Sequence, residues 1–408
     1  MKKLYLITDH YPYTRGELPF LLPELAVTHN YFDILLISRD LQPKQELTPP
    51  YGIPAVRFPS TVPSKTAKAL HLARCLMDKK YRREIAQNTS GRPRKEIEAE
   101  VRNFLYNAEA LRQWMERQGY FDDTRNAVYY SFWYSVGTMA LVLEKEKVHP
   151  DMKIATRAHG YDLYDERQPC GQLFKRYMDP KIDLIGFISR VGRDYYVQHF
   201  ATKPADQYRV YYLGVADHGL CPEERSDTLE IFSCSNVIPL KRIDHIAHAI
   251  QQLQVPVHWF HAGEGECLQE MRAMCQTLFC KKPNIKWEMP GSIPNDAVIQ
   301  YYQQHHVDLF INASETEGLP VSIMEAYSFG VPVIAPAVGG IPELVNAGTG
   351  YLLSPEASAQ EIAAAIQSWL DAPPMRQASL RLNARQIWHN SFYDKRNHER
   401  FAKALLAL

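Results

Sequence analysis

Short apolar runs alternate with longer helical patterns along this chain of 408 residues. Six of these runs lie in the first half and five in the second: LYLIT, DILLIS, NAVYYSF, KIATRAHG, LIGFIS and YRVYYLG, then LEIFSCS, VHWFHAG, IKWEMPG, VDLFINAS and VPVIAP. The alternation is typical of βαβ units, which form parallel sheets covered by helices. Eleven strands exceed one comfortable open sheet, and the chain is longer than a single core usually supports. The sequence therefore predicts two doubly wound α/β domains.

A polar, turn-rich segment, ADHGLCPEERSD, separates the two groups of predicted strands. We therefore predict a first domain over residues 1–220 and a second domain over residues 221–388. Residues 389–408 end in the helical pattern NHERFAKALLAL, whose apolar positions need a surface to cover them.

Composition excludes several classes of protein. Lys plus Arg and Asp plus Glu number 46 each, so the charge balance gives no support for a nucleic-acid partner. The seven cysteines are scattered without zinc-site spacing, which favours reduced thiols in the cytoplasm. The first apolar run stops at Thr8-Asp9-His10 and is predicted to be a strand rather than a signal peptide. No apolar run reaches the roughly 20 residues that span a bilayer.

The segment from Pro63 to Glu116 is predicted to form two helices that are broken at NTSGRPR. The first is basic, with Lys65, Lys68, Arg74, Lys79, Lys80, Arg82 and Arg83. These charges fit either a solvated helical face or a surface that attracts anionic lipid head groups. Peripheral contact with an anionic membrane therefore stays open as an alternative.

The stretch SETEGLPVSIMEAYSFGVPVIAP places two glutamates around the start of a helix. Pro320 suits the first helical position and Gly330 suits the C-terminal cap. The helix start follows a predicted strand, which is where open α/β sheets bind ligands, and its free amides suit a diphosphate. Glu317 before the helix and Glu325 within it could accept hydrogen bonds from hydroxyls at the two ends of a nucleotide sugar. Two surface acids on an amphipathic helix are the simpler alternative.

Other loops after predicted strands fit the same ligand. Lys241 precedes a helix and is a compact point charge for a phosphate, although a lone loop lysine is commonly just solvated. Gly263 and Gly265 in HAGEG permit close backbone approach, but the dinucleotide fingerprint is incomplete. The segment MPGSIPN, which ends at Asn295, offers an apolar edge for a flat base.

Two short motifs of the first half follow predicted strands. Gly16 in TRGE could let the backbone approach a ligand. His159 in RAHGYDLYD is flanked by Gly160 and Asp162. A lone histidine is often structural, so a structural and a functional role for His159 are both open.

Together these residues resemble the retaining glycosyltransferases of family 4. Their E-x7-E motif is matched by Glu317 and Glu325 and continues into VPVIAPAVGGIPELV, and the likeness is strongest from Ser233 to Gly350. The variants SCSNVIPLKR and EGLPVSIMEAYSFG are similar to bacterial enzymes that build surface polysaccharides, such as capsule or lipopolysaccharide. The resemblance implies the GT-B fold: two Rossmann-like domains that face a central cleft, and a C-terminal helix that crosses back to the first domain.

The resemblance also implies roles for single residues. Glu325 would hold the ribose hydroxyls and Lys241 the diphosphate, while Glu317 would contact the donor sugar near its reacting carbon. His159 would lie at the reaction centre, so His159 and Glu317 are the catalytic candidates. The remaining substrate-binding candidates are Gly16, Asp162, Asn236, Arg242, Gly263, Gly265, Ser292, Ile293, Pro294, Gly318, Leu319, Pro320 and Val321. Relatives usually have Arg at the position of Asn236 and Gly at that of Arg242, so a phosphate-pairing charge is missing or has moved to Arg242.

The implied reaction transfers a hexosyl group from a UDP- or GDP-sugar to an acceptor hydroxyl, with retention at the anomeric carbon. The acceptor domain would be the first one, and the acceptor a lipid-linked or growing bacterial polysaccharide. No cofactor is implied, and without a D-x-D motif we expect no metal. The alternatives are a nucleotide-sugar epimerase or a phosphorylase of the same fold, a nicotinamide-dependent oxidoreductase, and a catalytically inactive nucleotide-sugar-binding subunit.

Overall fold

The chain divides into two compact units. The computed structural model describes residues 1–13, 17–40, 47–59, 65–224 and 226–408, and for residues 65–70 it describes the backbone alone. The first unit contains Met1–Tyr212 and Lys395–Leu408, and the second contains Leu213–Asp394. The divisions therefore fall after residues 212 and 394, whereas the prediction placed them after 220 and 388.

Pairing between two connecting segments accounts for the position of these divisions. Val215 and Tyr393 form a parallel β-bridge, and the indole N–H of Trp388 donates to the carbonyl of Val215 at 3.1 Å. Because these contacts lie inside the second unit, both segments belong to it.

The first unit is built on a seven-stranded parallel sheet. Its strands are β1 (Lys2–Thr8), β2 (Phe32–Ser38), β3 (Ala55–Arg57), β4 (Ala127–Ser131), β5 (Lys153–Ala158), β6 (Leu184–Phe187) and β7 (Arg209–Val210). They lie in the order β3-β2-β1-β4-β5-β6-β7. All five residues of β4 are buried, as expected for a parallel strand covered on both faces.

Helices cover this sheet on both sides. They are α1 (Leu18–Thr28), α2 (Lys65–Met77), α3 (Lys79–Gln87), α4 (Arg94–Arg117), α5 (Val136–Lys147), α6 (Lys175–Met178) and α7 (Arg190–His199). The prediction of two helices between Pro63 and Glu116 was wrong by one, because the first breaks at Asp78 into α2 and α3. The side chain of Asp78 accepts a hydrogen bond from the amide of Lys80 at 2.8 Å and caps α3.

The second unit is built on a six-stranded parallel sheet. Its strands are β8 (Leu229–Cys234), β9 (Val257–Ala262), β10 (Ile285–Gly291), β11 (Leu309–Ile311), β12 (Val333–Pro336) and β13 (Gly350–Leu353), in the order β10-β9-β8-β11-β12-β13. Its helices are α8 (Ile243–Gln251), α9 (Leu268–Phe279), α10 (Asn295–Gln304), α11 (Val321–Ser328), α12 (Ala359–Leu370) and α13 (Pro374–Ile387). Strand order reverses between β1 and β4 in the first sheet and between β8 and β11 in the second. These reversals are the points at which doubly wound sheets bind ligands.

The last helix, α14 (Asp394–Leu406), returns to the first unit, as predicted. Phe401 and Leu405 are fully buried in the core beside β4, and the ring of Phe401 lies 5.4 Å from that of Tyr130. The guanidinium of Arg157 lies 3.9 Å above the Phe401 ring and 3.0 Å from the carboxylate of Glu24. The apolar positions of the C-terminal pattern are therefore covered by the first unit.

Candidate functional site

Two loops of the second unit meet beyond the carboxyl ends of β8 and β11. The loop after β8 covers Ser235–Arg242, and the loop after β11 covers Asn312–Pro320. Lys241 Nζ lies 2.5 Å from Glu317 Oε1, and the two side chains are only 17% and 12% exposed. Asn312 Nδ2 donates to the same oxygen of Glu317 at 3.2 Å. The two charged residues singled out in the sequence thus lie together where the strand order reverses.

A tight turn positions Lys241. Residues Pro239–Lys241 form one 3-10 turn, and Arg242 has a φ of 46°, which directs the chain into α8. Arg242 Nε donates to the carbonyl of Ala313 at 2.7 Å, and the amide of Glu315 donates to the carbonyl of Leu240 at 2.9 Å. Arg242 therefore braces the two loops, so a phosphate would have to share its guanidinium with that contact.

A glycine pair that was not predicted from the sequence contacts the backbone of the loop that carries Glu317. Gly339 and Gly340 follow β12, and Gly339 has a φ of 51°. A Cβ on Gly339 would lie 1.8 Å from the carbonyl oxygen of Glu317, and the amide of Gly340 donates to the carbonyl of Gly318 at 2.8 Å. Any side chain at Gly339 would displace the loop that carries Glu317. The sequence signal for this contact was a Gly-Gly pair shortly after a buried strand.

The glycines of HAGEG have a packing role. A Cβ on Gly263 would lie 1.8 Å from the carbonyl oxygen of Ser235, and one on Gly265 would lie 2.3 Å from that of Val237. Both glycines therefore allow the loop after β9 to contact the loop after β8. Asn236 lies between Ser235 and Val237 in this loop and is exposed. Loop packing is sufficient to explain Gly263 and Gly265, whether or not a ligand also approaches them.

Helix α11 begins one residue later than predicted. Pro320 is its N-cap, with extended backbone, and Val321 is its first residue. The carbonyl of Pro320 accepts the amide of Ile323 at 3.2 Å, and Leu319 is buried beside it. Pro320 has no N–H, so this segment presents the amides of Gly318, Leu319 and the first helical residue, Val321, beside the positive end of the helix dipole.

Glu325 is buried inside α11, with 8% of its surface exposed. Burial raises the pKa of Glu325 to about 7, although a hydrogen bond from Asn295 opposes the rise. Asn295 Nδ2 donates to Glu325 Oε1 at 2.8 Å and begins α10 directly after the predicted base-flanking segment Ser292–Pro294. Burial and the nearby Glu325 carboxylate raise the pKa of Cys234, at the end of β8. Glu325 therefore lies near the same sheet edge, with Asn295 as a partner that the predicted site had left out.

In the first unit, Asp162 joins the loops that follow β4 and β5. Its Oδ1 accepts the amide of His159 at 2.6 Å and its Oδ2 accepts the amide of Tyr134 at 2.7 Å. Burial opposes ionisation of Asp162, but contacts with His159, Lys175 and the Tyr134 amide outweigh it and lower the pKa of this carboxyl. Asp162, predicted to bind substrate, is thus engaged in holding two backbone segments.

His159 follows β5 and is 6% exposed. Its ring centre lies 4.7 Å from that of Phe132 and 4.5 Å from that of Trp133. Its Nδ1 lies 3.6 Å from Asp162 Oδ2, beyond hydrogen-bond distance, and both buried ring nitrogens make no hydrogen bond to a described residue. His159 and Asp162 are therefore brought together in the first unit, while Gly16 lies outside the described residues.

Glu17 fixes the neighbouring loop after β1. Its buried carboxylate accepts the amides of Asp9 at 2.9 Å, His10 at 2.9 Å and Tyr11 at 2.7 Å, and also the indole N–H of Trp133. The sequence reasoning singled out the glycine of TRGE and overlooked this glutamate.

A cavity of about 270 Å³ opens at these strand ends. Its lining includes Asp9, Arg39, Trp133, Tyr161 and Asp162. Arg39 pairs with Asp9 at 3.2 Å, and Tyr161 is 63% exposed. A cavity that combines aromatic surface with paired charges suits a polyhydroxylated ligand.

Within the described ranges, no cluster of His, Cys, Asp and Glu side chains could hold a metal ion. No helix in the same part of the chain has both the length and the apolar character to cross a bilayer.

The chain has two Rossmann-like units, and in the second a lysine, two glutamates and a helix start lie where the strand order reverses. This architecture is the GT-B class of glycosyltransferase fold. Residues 222–387 match the family model described as Glycosyl transferases group 1. The match covers less than half of the chain and agrees with the glycosyltransferase resemblance predicted from the sequence.

Individual relatives agree with this assignment. The putative colanic acid biosynthesis glycosyltransferase WcaL of Salmonella typhimurium is 41% identical over 228 residues, which cover 52% of this chain and 54% of that protein. WcaL of Escherichia coli is 27% identical over 277 residues, which cover 63% of this chain and 64% of that protein. The chain thus spans about half to two thirds of the length of these curated relatives. The crystal structure of Anabaena HepE with UDP and glucose has a TM-score of 0.68 at 16% identity and covers 100% of both chains, a likeness that shows the fold alone.

Proposed function

We propose that this protein is a retaining, metal-independent glycosyltransferase that moves a hexosyl group from a nucleotide diphosphate sugar to an acceptor hydroxyl of a bacterial surface polysaccharide. The observation that carries the proposal is the contact between Lys241 and Glu317 at the reversal of strand order, directly before the helix that contains Glu325. The named relatives of colanic acid biosynthesis support the polysaccharide acceptor.

The donor would lie along the start of α11. The ammonium of Lys241 and the amides of this segment, to which Pro320 contributes none, would neutralise the diphosphate, since a helix start and a point charge both favour anions. Glu325 would accept the ribose hydroxyls, and Ser292–Pro294 would flank the base. Glu317 would accept a hydroxyl of the donor sugar. A UDP-sugar or a GDP-sugar both fit this arrangement.

The reaction would break the bond between the anomeric carbon and the diphosphate oxygen and form a bond from that carbon to the acceptor oxygen on the same face. The acceptor proton would pass to the leaving diphosphate oxygen. The protein would supply fixed charge where the leaving group becomes negative, which lowers the barrier without a metal ion. No cofactor enters this scheme, because the donor itself carries the activated sugar.

The acceptor would bind in the first unit. The cavity beside Trp133 and Tyr161 lies at the carboxyl ends of β1, β4 and β5, and its aromatic rings suit the apolar face of a sugar. His159, held beside Trp133, would lie next to the reacting hydroxyl. The site of action would be the cytoplasm, with peripheral contact to the inner face of the membrane where a lipid-linked acceptor is held.

Thermal stabilisation by UDP-, GDP- and ADP-sugars tests the donor assignment, because a ligand that binds the folded state raises Tm. The sugar that stabilises the protein is then incubated with it in water, and the first free sugar released is analysed by NMR for its anomeric configuration. We expect the configuration of the donor to be retained and the rate to be unchanged by EDTA.

Other outcomes favour the rival functions. An epimerised donor without hydrolysis would indicate an epimerase of the same fold. Binding without hydrolysis or transfer would indicate an inactive subunit, an alternative that Asn236 favours because it lacks the phosphate-pairing charge of the relatives. Inversion of configuration, or loss of the rate in EDTA, would refute the proposed mechanism.

A further inference from the structure

Helix α2 turns an apolar face away from the protein. His71 and Cys75 face α4: a ring nitrogen of His71 lies 3.0 Å from the carbonyl oxygen of Arg102, and Cys75 is buried. The opposite side carries Leu72, Leu76 and Met77, which are 37%, 57% and 74% exposed. A surface helix normally presents polar residues there, so this exposed apolar face indicates a binding surface.

The same region is strongly basic. Residues 65–95 contain ten Lys or Arg and two Asp or Glu, in a chain whose total charges balance. Arg74 on α2 and Lys79, Arg82 and Arg83 on α3 are exposed. Lys80 is committed to Asp78 at 3.4 Å and Glu146 at 3.5 Å. Exposed positive charge beside exposed apolar side chains is the pattern of a helix that lies in a lipid interface.

A groove beside Leu76 adds a second feature of the same kind. Its volume is about 520 Å³, and its lining includes Leu76, Tyr81, Arg82, Ile85, Arg92 and Ile97. The lining also holds Glu98, whose carboxylate is paired with Arg94 at 2.8 Å. Tyr81 and Ile97 are buried and form an apolar floor, while Arg82 and Arg92 are exposed at the rim. Guanidinium groups at the mouth of an apolar groove suit a phosphate head group above an acyl chain.

We propose that the surface formed by the outward face of α2, the basic residues of α3 and this groove docks the protein on a bilayer that contains anionic phospholipids. The exposed charge beside the apolar side chains is positive, which matches an anionic leaflet, whereas a second copy would bring the same positive charge to the contact. This surface would make the peripheral membrane contact that the proposed function includes. The inference rests on the proposed function only in that the bilayer would hold the lipid-linked acceptor.

Flotation of the full chain with lipid vesicles tests the surface directly. We expect binding to vesicles of phosphatidylcholine with roughly 30% phosphatidylglycerol and little binding to pure phosphatidylcholine, since a polybasic segment is attracted to anionic leaflets. The bound fraction should fall when salt rises from about 0.15 M to roughly 0.5 M, because salt screens exposed charges.

Two double variants separate charge from apolar contact. Arg82→Gln with Arg83→Gln should weaken vesicle binding by about 25-fold, since each basic residue near an anionic surface contributes a factor of about five. Leu76→Ser with Met77→Ser should weaken it by at least about tenfold at both salt concentrations, because apolar insertion is not screened. All four side chains are exposed, so folding and melting temperature should be unchanged.

Matched controls come from the second unit. Met375 and Leu382 are 84% and 68% exposed, and Lys281 and Lys282 form a basic pair. Met375→Ser with Leu382→Ser, and Lys281→Gln with Lys282→Gln, should leave vesicle binding unchanged.

Three results would overturn the inference: no binding to anionic vesicles, equal binding by the α2 and control variants, or concentration-dependent self-association that the α2 variants abolish. Nucleotide-sugar stabilisation and donor hydrolysis, measured on the same variants without vesicles, should stay at wild-type values. If the wild-type chain binds the donor but not anionic vesicles, the docking surface is refuted and the proposed function still stands.

Discussion

Glu325→Gln should make the protein more stable and a weaker binder of its donor. The carboxylate is 8% exposed, and burial raises its pKa to about 7 from the ordinary 4.5. Gln is nearly the same size and can keep the hydrogen bond from Asn295, so the substitution removes charge and little else. Its two effects have opposite signs, and each can be worked out separately.

The effect on stability follows from proton binding. Between pH 4.5 and 7 the folded state holds a proton that the unfolded state has released, so stability falls as pH rises through this range. Each pH unit of difference corresponds to about 1.4 kcal/mol, which gives a cost of roughly 3 kcal/mol above pH 7. Glu325→Gln removes this cost, and the melting temperature of a unit this size should rise by roughly 5–10 °C at pH 8. At pH 4.5 the variant and the wild type should melt together.

The effect on affinity follows from hydrogen-bond strength. A hydrogen bond to a charged acceptor contributes about 1 kcal/mol more than one to a neutral acceptor. For two ribose hydroxyls the difference is roughly 2 kcal/mol, or about 30-fold in Kd. Wild-type affinity should therefore fall toward that of the variant as pH drops below 7, while the affinity of the variant should be nearly independent of pH.

Calorimetric titration with the stabilising nucleotide sugar at several pH values measures this difference, and thermal denaturation measures stability on the same samples. A nucleotide sugar is preferred to a free nucleotide because its diphosphate is esterified at both ends and has no proton that titrates near pH 7. Glu356→Gln is the control, since Glu356 is an exposed carboxylate of the same unit. Equal donor affinity of wild type and Glu325→Gln at pH 8 would refute the proposed contact between Glu325 and the ribose. Equal stability at pH 8 would refute the claim that the buried charge of Glu325 destabilises the fold.

Two further substitutions test the loops that meet at the site. Lys241→Ala should raise the donor Kd by roughly 10–100-fold, since charge-assisted bonds to phosphate are lost, whereas Lys281→Ala should leave it unchanged. Because Lys241 and Glu317 are in contact, the effects of Lys241→Ala and Glu317→Gln on the donor Kd should be non-additive. Simple additivity would argue against a shared site. Gly339→Ala should displace the Glu317 loop, cost roughly 1–3 kcal/mol of stability and lower kcat/KM for the donor. Gly219→Ala is its control, because Gly219 also has positive φ, at 91°, but faces open space; an equal loss of kcat/KM in both variants would contradict the positioning role of Gly339.

Local pattern was sufficient for most of the fold. All eleven predicted strands form, and the two that were missed, β3 and β13, lie at sheet edges. β3 has three residues and β13 has four, and each is only partly buried, so they lack the longer apolar runs by which the other strands, the edge strands β7 and β10 included, are recognised. The break at Asp78 was overlooked because the composition of this segment favours helix throughout. A single side chain, that of Asp78, ends one helix and caps the next.

The chemical groups of the site could be predicted from the sequence, but the residues that position them could not. Lys241 and Glu317 follow strands and adjoin helix starts, which local pattern records. Asn295 contacts Glu325 across 30 residues, and Gly339 contacts Glu317 through the backbone. Such contacts depend on which strands become neighbours, and a single sequence does not state that order.

Two buried glutamates show why burial alone does not identify a binding residue. A carboxylate has about four acceptor positions. Glu17 fills them with three backbone amides and the indole of Trp133, so its charge is used entirely within the fold. Glu325 receives one side-chain hydrogen bond, from Asn295, in the part of the chain that the structure describes, and burial raises its pKa. A carboxylate that is kept buried with unused acceptor positions destabilises the fold unless a ligand donates to it. The contrast favours Glu325 as the residue that holds the nucleotide and Glu17 as a structural one.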